Sequence, residues 1–214
     1  MIVSNRHPII AQEGWLFIGV CIGLLIISLY IAIIVSPILL FLTIFLVYVY
    51  RDPQRKIPSA PLGLVSPIDG RIVSLDEVTN RFTGEESYRI GIMTNKLGVF
   101  ALRSPIEGKM HKQFFDKSSG KSHYINWVQT DEGDNVIWEV NVKARTGSHC
   151  YVQPGERIGH GQRCGFLAFN SYVNLYVPLN SSLSFKLQES VLAGEDILAS
   201  LVHNQGASIV VKTA

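Results

Sequence analysis

From Trp15 to Tyr50 the chain runs 36 residues without an Asp, Glu, Lys or Arg. A membrane-spanning helix needs about 20 apolar residues, so this run exceeds one straight span and barely suffices for two. Ser36-Pro37 lies inside it, and proline interrupts the helical hydrogen-bond ladder. Two arrangements follow: a tilted or kinked single span, or a hairpin of residues 16–35 and 37–50. Beyond Tyr50 the pattern changes to period two. Segments 88–93, 136–142, 173–177 and 183–187 alternate apolar and polar positions and predict strands. Glycines recur every few residues, and no long helical period follows. The pattern predicts a mainly β domain, a barrel or sandwich hybrid, behind an N-terminal transmembrane helix or helical hairpin.

Two internal echoes sharpen this. Ser66-Pro67-Ile68-Asp69-Gly70-Arg71-Ile72 recurs as Ser104-Pro105-Ile106-Glu107-Gly108-Lys109-Met110, 38 positions on. Val152-Gln153-Pro154-Gly155-Glu156-Arg157-Ile158 is echoed by Val191-Leu192-Ala193-Gly194-Glu195-Asp196-Ile197, 39 positions on. Both predict a core with internal pseudo-symmetry, of the kind seen in biotinyl- and lipoyl-type sandwiches. A swinging-arm carrier is disfavoured, because no Met-Lys-Met or Asp-Lys-Ala attachment site is present. A membrane-fusion adaptor is disfavoured by the lack of a heptad pattern.

Charge sets the topology. Of the 36 Lys, Arg, Asp and Glu residues, only Arg6 and Glu13 lie in the first 50 positions. The remainder of the chain has the charge density of a soluble domain, which excludes a disordered chain, a collagen-like fibre and a many-span transporter. Residues 1–50 read as a membrane anchor, 51–62 as a basic proline-rich linker, and 63–214 as the β domain. Arg51, Arg55 and Lys56 read as interfacial anchoring cations. Positive flanks stay in the cytoplasm, so the domain is expected on the cytoplasmic face of the cell membrane. Cys21, Cys150 and Cys164 form no CxxC or zinc spacing and read as buried reduced thiols. No metal site and no nucleic-acid partner are expected.

An ordered set of motifs runs along nearly the whole chain: Glu13-Gly14-Trp15; Tyr50-Arg51-Asp52-Pro53-Gln54-Arg55; Ser66-Pro67-Ile68-Asp69-Gly70; Gly98-Val99 leading to Arg103-Ser104-Pro105; the run 165–178 around Phe169-Asn170-Ser171-Tyr172-Val173; and Gly194-Glu195 with Leu198-Ala199. In this the chain resembles the short, membrane-anchored form of phosphatidylserine decarboxylase. The resemblance implies a pyruvoyl enzyme that makes its own cofactor by cleaving itself before a serine. Its ketone would then accept the electrons released as CO₂ leaves phosphatidylserine, giving phosphatidylethanolamine. The matching serine is Ser171, cleavage falls at Asn170-Ser171, and the fragments are residues 1–170 and 171–214, of 170 and 44 residues. The aspartate that assists processing maps to Asp69. The implied partners are a phospholipid membrane and phosphatidylserine or a related serine-linked lipid, with a homo-oligomer left open.

The chain also departs from that pattern. Phe100 stands where the short form carries a histidine, and Asn170 where glycine usually precedes the serine. Tyr172 and Asn174 replace an arginine and an aspartate. A general acid–base group contributes about 10²–10⁴-fold, so these departures support an alternative: an unprocessed, inactive relative that binds lipid or regulates a paralogue. His111, His123, His149 and His160 are the soluble-domain histidines that could stand in for the missing one.

Overall fold

The computed structural model describes residues 9–31, 33–95, 98–116, 122–142, 150–167 and 170–202. The apolar run folds as α1 (Trp15–Ile31) and α2 (Ser36–Val49), packed against each other. Pro37 sits in the first turn of α2, where its missing N–H is not required, so the proline begins a helix rather than bending one. The two ends of the run meet. Ile10 and Arg51 form an antiparallel bridge, Ala11 N–H donates to Tyr50 O, and Asp52 N–H donates to Ile9 O, both at 2.7 Å. Of the two expected arrangements, the hairpin is the one formed. The stretch Gln12–Ile31 is long and apolar enough to cross a membrane, and the limb Ile33–Val49 is shorter.

The rest is mainly β: β1 (Gly63–Val65), β2 (Gly70–Thr79), β3 (Glu86–Thr94), β4 (Ala101–Arg103), β5 (Gly108–Asp116), β6 (Ser122–Gln129), β7 (Asn135–Val142), β8 (Arg157–Ile158), β9 (Arg163–Phe166), β10 (Tyr172–Pro178), β11 (Ser182–Leu183), β12 (Ser190–Val191) and β13 (Ile197–Ser200). The expected strands at 88–93, 136–142 and 173–177 lie in β3, β7 and β10. The one expected at 183–187 shrinks to β11: Ser182 and Leu183 pair with β13, Ser184 N–H still donates to Leu198 O at 2.9 Å, and the pairing ends there. Eight strands form a curled half-barrel in the order β12-β2-β3-β10-β7-β6-β5-β8. Its inner face, with Ile72, Ile90, Ile92, Trp138, Val140, Val173 and Leu175, closes on the small sheets β1-β13-β11 and β4-β9 around one core.

That strand order is palindromic about the β10–β7 pair, and the hydrogen bonds repeat with it. Ser66 and Ser104 hydroxyls donate to the carbonyls of Ile68 and Ile106, both at 2.7 Å. Val65 N–H donates to Pro105 O and Arg103 N–H to Pro67 O, both at 2.9 Å. A Cβ at Gly70 or Gly108 would strike the carbonyl of Met93 or Gln129 on the facing strand, so both copies of the motif use glycine. The second echo pairs differently from the sequence expectation. Gly155 N–H donates to Met110 O and Gln188 N–H to Ile72 O; the Glu156 and Glu189 carboxylates accept from Gln153 N and Lys186 N, each at 2.8 Å. Residues 153–158 therefore correspond to 186–191, not to 192–197. Gln188 takes φ 67° where its counterpart Gly155 takes 97°.

Candidate functional site

Ser171 enters the sheet at the head of β10 and is fully buried. Its carbonyl accepts two bonds from Thr94 at the end of β3, from the backbone N–H and from the hydroxyl, both at 3.1 Å. The period-two register puts position 171 on the inner face with Val173 and Leu175. Asn170, just before it, takes φ 58°, a left-handed conformation that Asn tolerates better than most non-glycine residues.

Asp69 lies on the other side of the same strand end. Gly70 pairs with Thr94, so Asp69 and Ser171 flank β3. Two strand spacings separate their backbones by about 10 Å. The Asp69 carboxylate is buried and held from both oxygens: Oδ2 accepts from Arg55 Nη2 at 2.6 Å, and Oδ1 from Ala193 N–H at 2.7 Å. Gly98 passes close above it, where a Cβ would stand 3.6 Å from that of Asp69.

Phe100 precedes β4 and is 2% exposed. Its ring packs edge-on against Phe166, centroids 6.2 Å apart, and its carbonyl accepts from Leu167 N–H at 2.6 Å. It thus adjoins the segment leading to Asn170 and fills its place as a core side chain. Phe166 stacks in turn on Tyr50 at 5.2 Å, and Tyr50 on Phe17 of α1 at 6.1 Å. An aromatic row therefore runs from the hairpin to the site.

The described histidines are engaged elsewhere. His111 stands 4.8 Å from the Trp127 ring. His123 Nδ1 is 3.3 Å from Glu139 on the outer face of the sheet. His160 lines a cavity of about 370 Å³ with Pro58, Glu107, Thr130 and Asp131, and burial pulls its pKa below 6.5. His149 lies outside the described residues. Tyr172 and Asn174 also face outward: Tyr172 crosses Gly91 to reach Ser74 Oγ at 3.1 Å, and Asn174 Nδ2 donates to Glu139 at 3.2 Å. Both departures from the family pattern therefore fall on the sheet face opposite the core.

The three cations grouped as anchors separate. Arg51 lies against Tyr48, its guanidinium carbon 3.7 Å from the ring centre, beside the hairpin. Lys56 uses its backbone N–H on Glu195. Arg55 is a correction: its side chain is 9% exposed and its guanidinium is taken up by Asp69, so it sits inside the domain rather than at a lipid surface. Reading by sequence also missed Thr94, and the buried charge chain in which Asp52 meets Arg103 at 2.8 Å and Arg163 at 3.4 Å, and Arg163 meets Glu13 at 2.9 Å. Glu13, Asp52 and Arg103 of that chain stood in the motifs already singled out, whereas Arg163 lay outside them. All three cysteines are free and buried, and burial together with neighbouring Cys150 pushes the Cys164 thiol well up. Among the described residues no cluster of His, Cys, Asp or Glu is placed to hold a metal ion.

Comparison with known proteins agrees on one family. The phosphatidylserine decarboxylase family model matches residues 42–199. Relatives named phosphatidylserine decarboxylase proenzyme include those of Burkholderia cenocepacia and Burkholderia multivorans. Each is 34% identical over 213 residues, covering 93% of this chain and 99% of the relative. No solved structure matches.

Proposed function

The chain belongs to the phosphatidylserine decarboxylase family, and from that premise we propose that it is a membrane-anchored, self-processing decarboxylase of phosphatidylserine. The observation that carries this reading is Asn170 at φ 58° directly before a fully buried Ser171. The scissile peptide would start from a strained backbone, and strain of this kind collects at reacting segments.

In this reading Ser171 Oγ adds to the carbonyl carbon of Asn170. The bond to the Ser171 nitrogen breaks, that nitrogen takes up the proton, and the amide becomes an ester. Loss of the Ser171 Cα proton then expels the Asn170 carboxylate, and water displaces the nitrogen as ammonia. The products are residues 1–170 and a 44-residue chain, 171–214, that begins with a pyruvoyl group. That group supplies the electron-accepting ketone for decarboxylation of a serine-linked lipid. Asp69 assists as the proton-accepting carboxylate, and Thr94 holds the Ser171 carbonyl, which fixes the backbone on the side of the serine away from the scissile peptide. The residues present suit formation of the group: a buried serine, a left-handed residue before it, and an oriented carboxylate across one strand. The hairpin inserts in the cell membrane with both ends on the cytoplasmic side, as the basic residues after Tyr50 favour, and the aromatic row sets the site beside the lipid.

The experiment is the intact mass of purified full-length chain under denaturing conditions, together with CO₂ release from phosphatidylserine in mixed micelles. A 44-residue fragment and CO₂ release, both abolished by Ser171→Ala, are expected. One observation favours a second reading. Phe100 is a packed core residue where the family pattern has a proton carrier, which suits an unprocessed relative that binds lipid or regulates a paralogue. A chain that stays whole, with no CO₂ release, would establish that second reading over the first.

A further inference from the structure

The internal repeat separates what the scaffold needs from what one half has added. The turn Ser66–Gly70 and its counterpart Ser104–Gly108 make the same serine hydrogen bonds and receive the same flanking contacts, Gly194 N–H to Ser66 O at 2.9 Å and Gly161 N–H to Ser104 O at 3.0 Å. Thr94 N–H donates to Ser171 O just as Thr130 N–H donates to Asp134 O, at 3.1 and 3.0 Å. At that level the two halves are interchangeable.

Their acids are not. Glu107 is 61% exposed and only approaches Arg157, at 3.6 Å. Asp69 is 7% exposed and pinned by Arg55 at 2.6 Å. The turn therefore folds without a buried, paired acid, and Arg55–Asp69 is a feature that only the half holding Ser171 possesses. It is also a demanding one. The Arg55 side chain is 9% exposed and its Nε has no hydrogen-bond partner among the described residues, and a buried ion pair with an unsatisfied donor is a poor way to gain stability. Arg55 belongs to the segment leaving α2, whose start is fixed three residues earlier by the buried Asp52–Arg103 pair.

We infer that Arg55 is a positioning residue: it fixes the direction of the Asp69 carboxylate, and so makes that direction depend on the seating of the segment that leaves the helical hairpin. This rests on the reading of Asp69 and Ser171 given above and adds what sets their geometry. A detached or unseated hairpin would free Arg55 and leave Asp69 held by Ala193 N–H alone.

The test uses the full chain in detergent micelles and has two arms. In the first, cleavage before Ser171 is followed by intact mass. Arg55→Gln slows it about 10- to 100-fold, the effect of a small misplacement of a reacting group, and Arg55→Lys restores most of the rate. Arg157→Gln, the matching loss in the other half, leaves it unchanged. In the second arm, Ser171→Ala chains are labelled with a water-soluble carbodiimide and an amine. Asp69 is modified about tenfold faster once Arg55→Gln frees it to open locally, and Arg55→Lys keeps it protected. Wild-type cleavage rates in Arg55→Gln would overturn the inference, and so would unchanged protection of Asp69. If the wild-type chain never cleaves, the proposed function fails alone, and the labelling arm decides the inference.

Discussion

Asn170 takes a conformation that disfavours most side chains by about 1–2 kcal/mol. The family resemblance implies glycine at this position; here asparagine, which tolerates left-handed backbone better than most residues, meets it. Asn170→Val is expected to lower stability by about that amount, and Asn170→Gly is not, as read from thermal unfolding midpoints. In the proposed processing, Asn170→Gly keeps the left-handed geometry and should still yield the 44-residue fragment, read by intact mass. His160 offers a second prediction at this scale. Burial lowers its pKa in the folded chain below 6.5, so as the pH falls the unfolded chain takes up the proton first. The neutral ring's contribution is therefore complete above about pH 6.5 and is lost as the pH drops through the folded value. Measured between neutral and mildly acidic pH, His160→Gln should flatten the loss of stability. Both residues stood out in the sequence as types. Asparagine's tolerance of left-handed backbone was legible there; the burial of His160 was not, because it depends on the distant 58–61 segment.

At the scale of elements, the join between hairpin and domain is electrostatic as well as apolar. Asp52 and Arg103 are almost completely buried, and removing one partner of such a pair typically costs about 3–5 kcal/mol, because the other charge is left uncompensated. Asp52→Asn should therefore lower the thermal unfolding midpoint sharply. Asp131→Asn, which breaks an exposed pair with Arg157, should leave it nearly unchanged. Elements also show where pattern reading succeeds. Strands β3, β7 and β10 lie at the centre of the sheet and were legible from alternation. The 183–187 segment alternates equally well, yet its pairing with β13 ends at Ser184, whose N–H donates to Leu198 O. Alternation reports which faces a segment could present, not whether a neighbour exists to pair with it. The second echo misled for a related reason: Gly-Glu at 155–156 and 194–195 marks similar local turns, whereas the pairing equates Gly155 with Gln188.

At the scale of the whole molecule, a hairpin with an outward apolar surface is joined to a half-barrel whose core also takes in Val49 from the end of α2. Leu24, near the middle of α1, is 48% exposed. A lysine at a helix centre costs about 2.5–3.5 kcal/mol on insertion, so Leu24→Lys should reduce flotation of the full chain with phospholipid vesicles while its β-domain unfolding transition is kept. Unchanged flotation would count against hairpin insertion. The apolar hairpin and the candidate site meet at one place in this architecture. The segment leaving α2 brings Asp52 to Arg103 and Arg55 to Asp69, and Tyr50 stacks on Phe166 just before the segment that leads to Ser171.

The apolar run, the β character of the remainder, the repeated Ser-Pro-Ile-acid-Gly turn and the motifs of the family are all written locally, in the order of residue types, and needed no coordinates. Closure of the run into a hairpin, the correspondence of the two halves and the use of Arg55 on Asp69 came only from tertiary structure. Each joins residues far apart in the chain, and a lone sequence carries the charge and apolarity of a residue but not the identity of what will stand opposite it. Phe100 shows both sides: its chemistry was plain from its letter, and its role as a packed core ring beside the segment leading to Asn170 became visible only when β4 met β9.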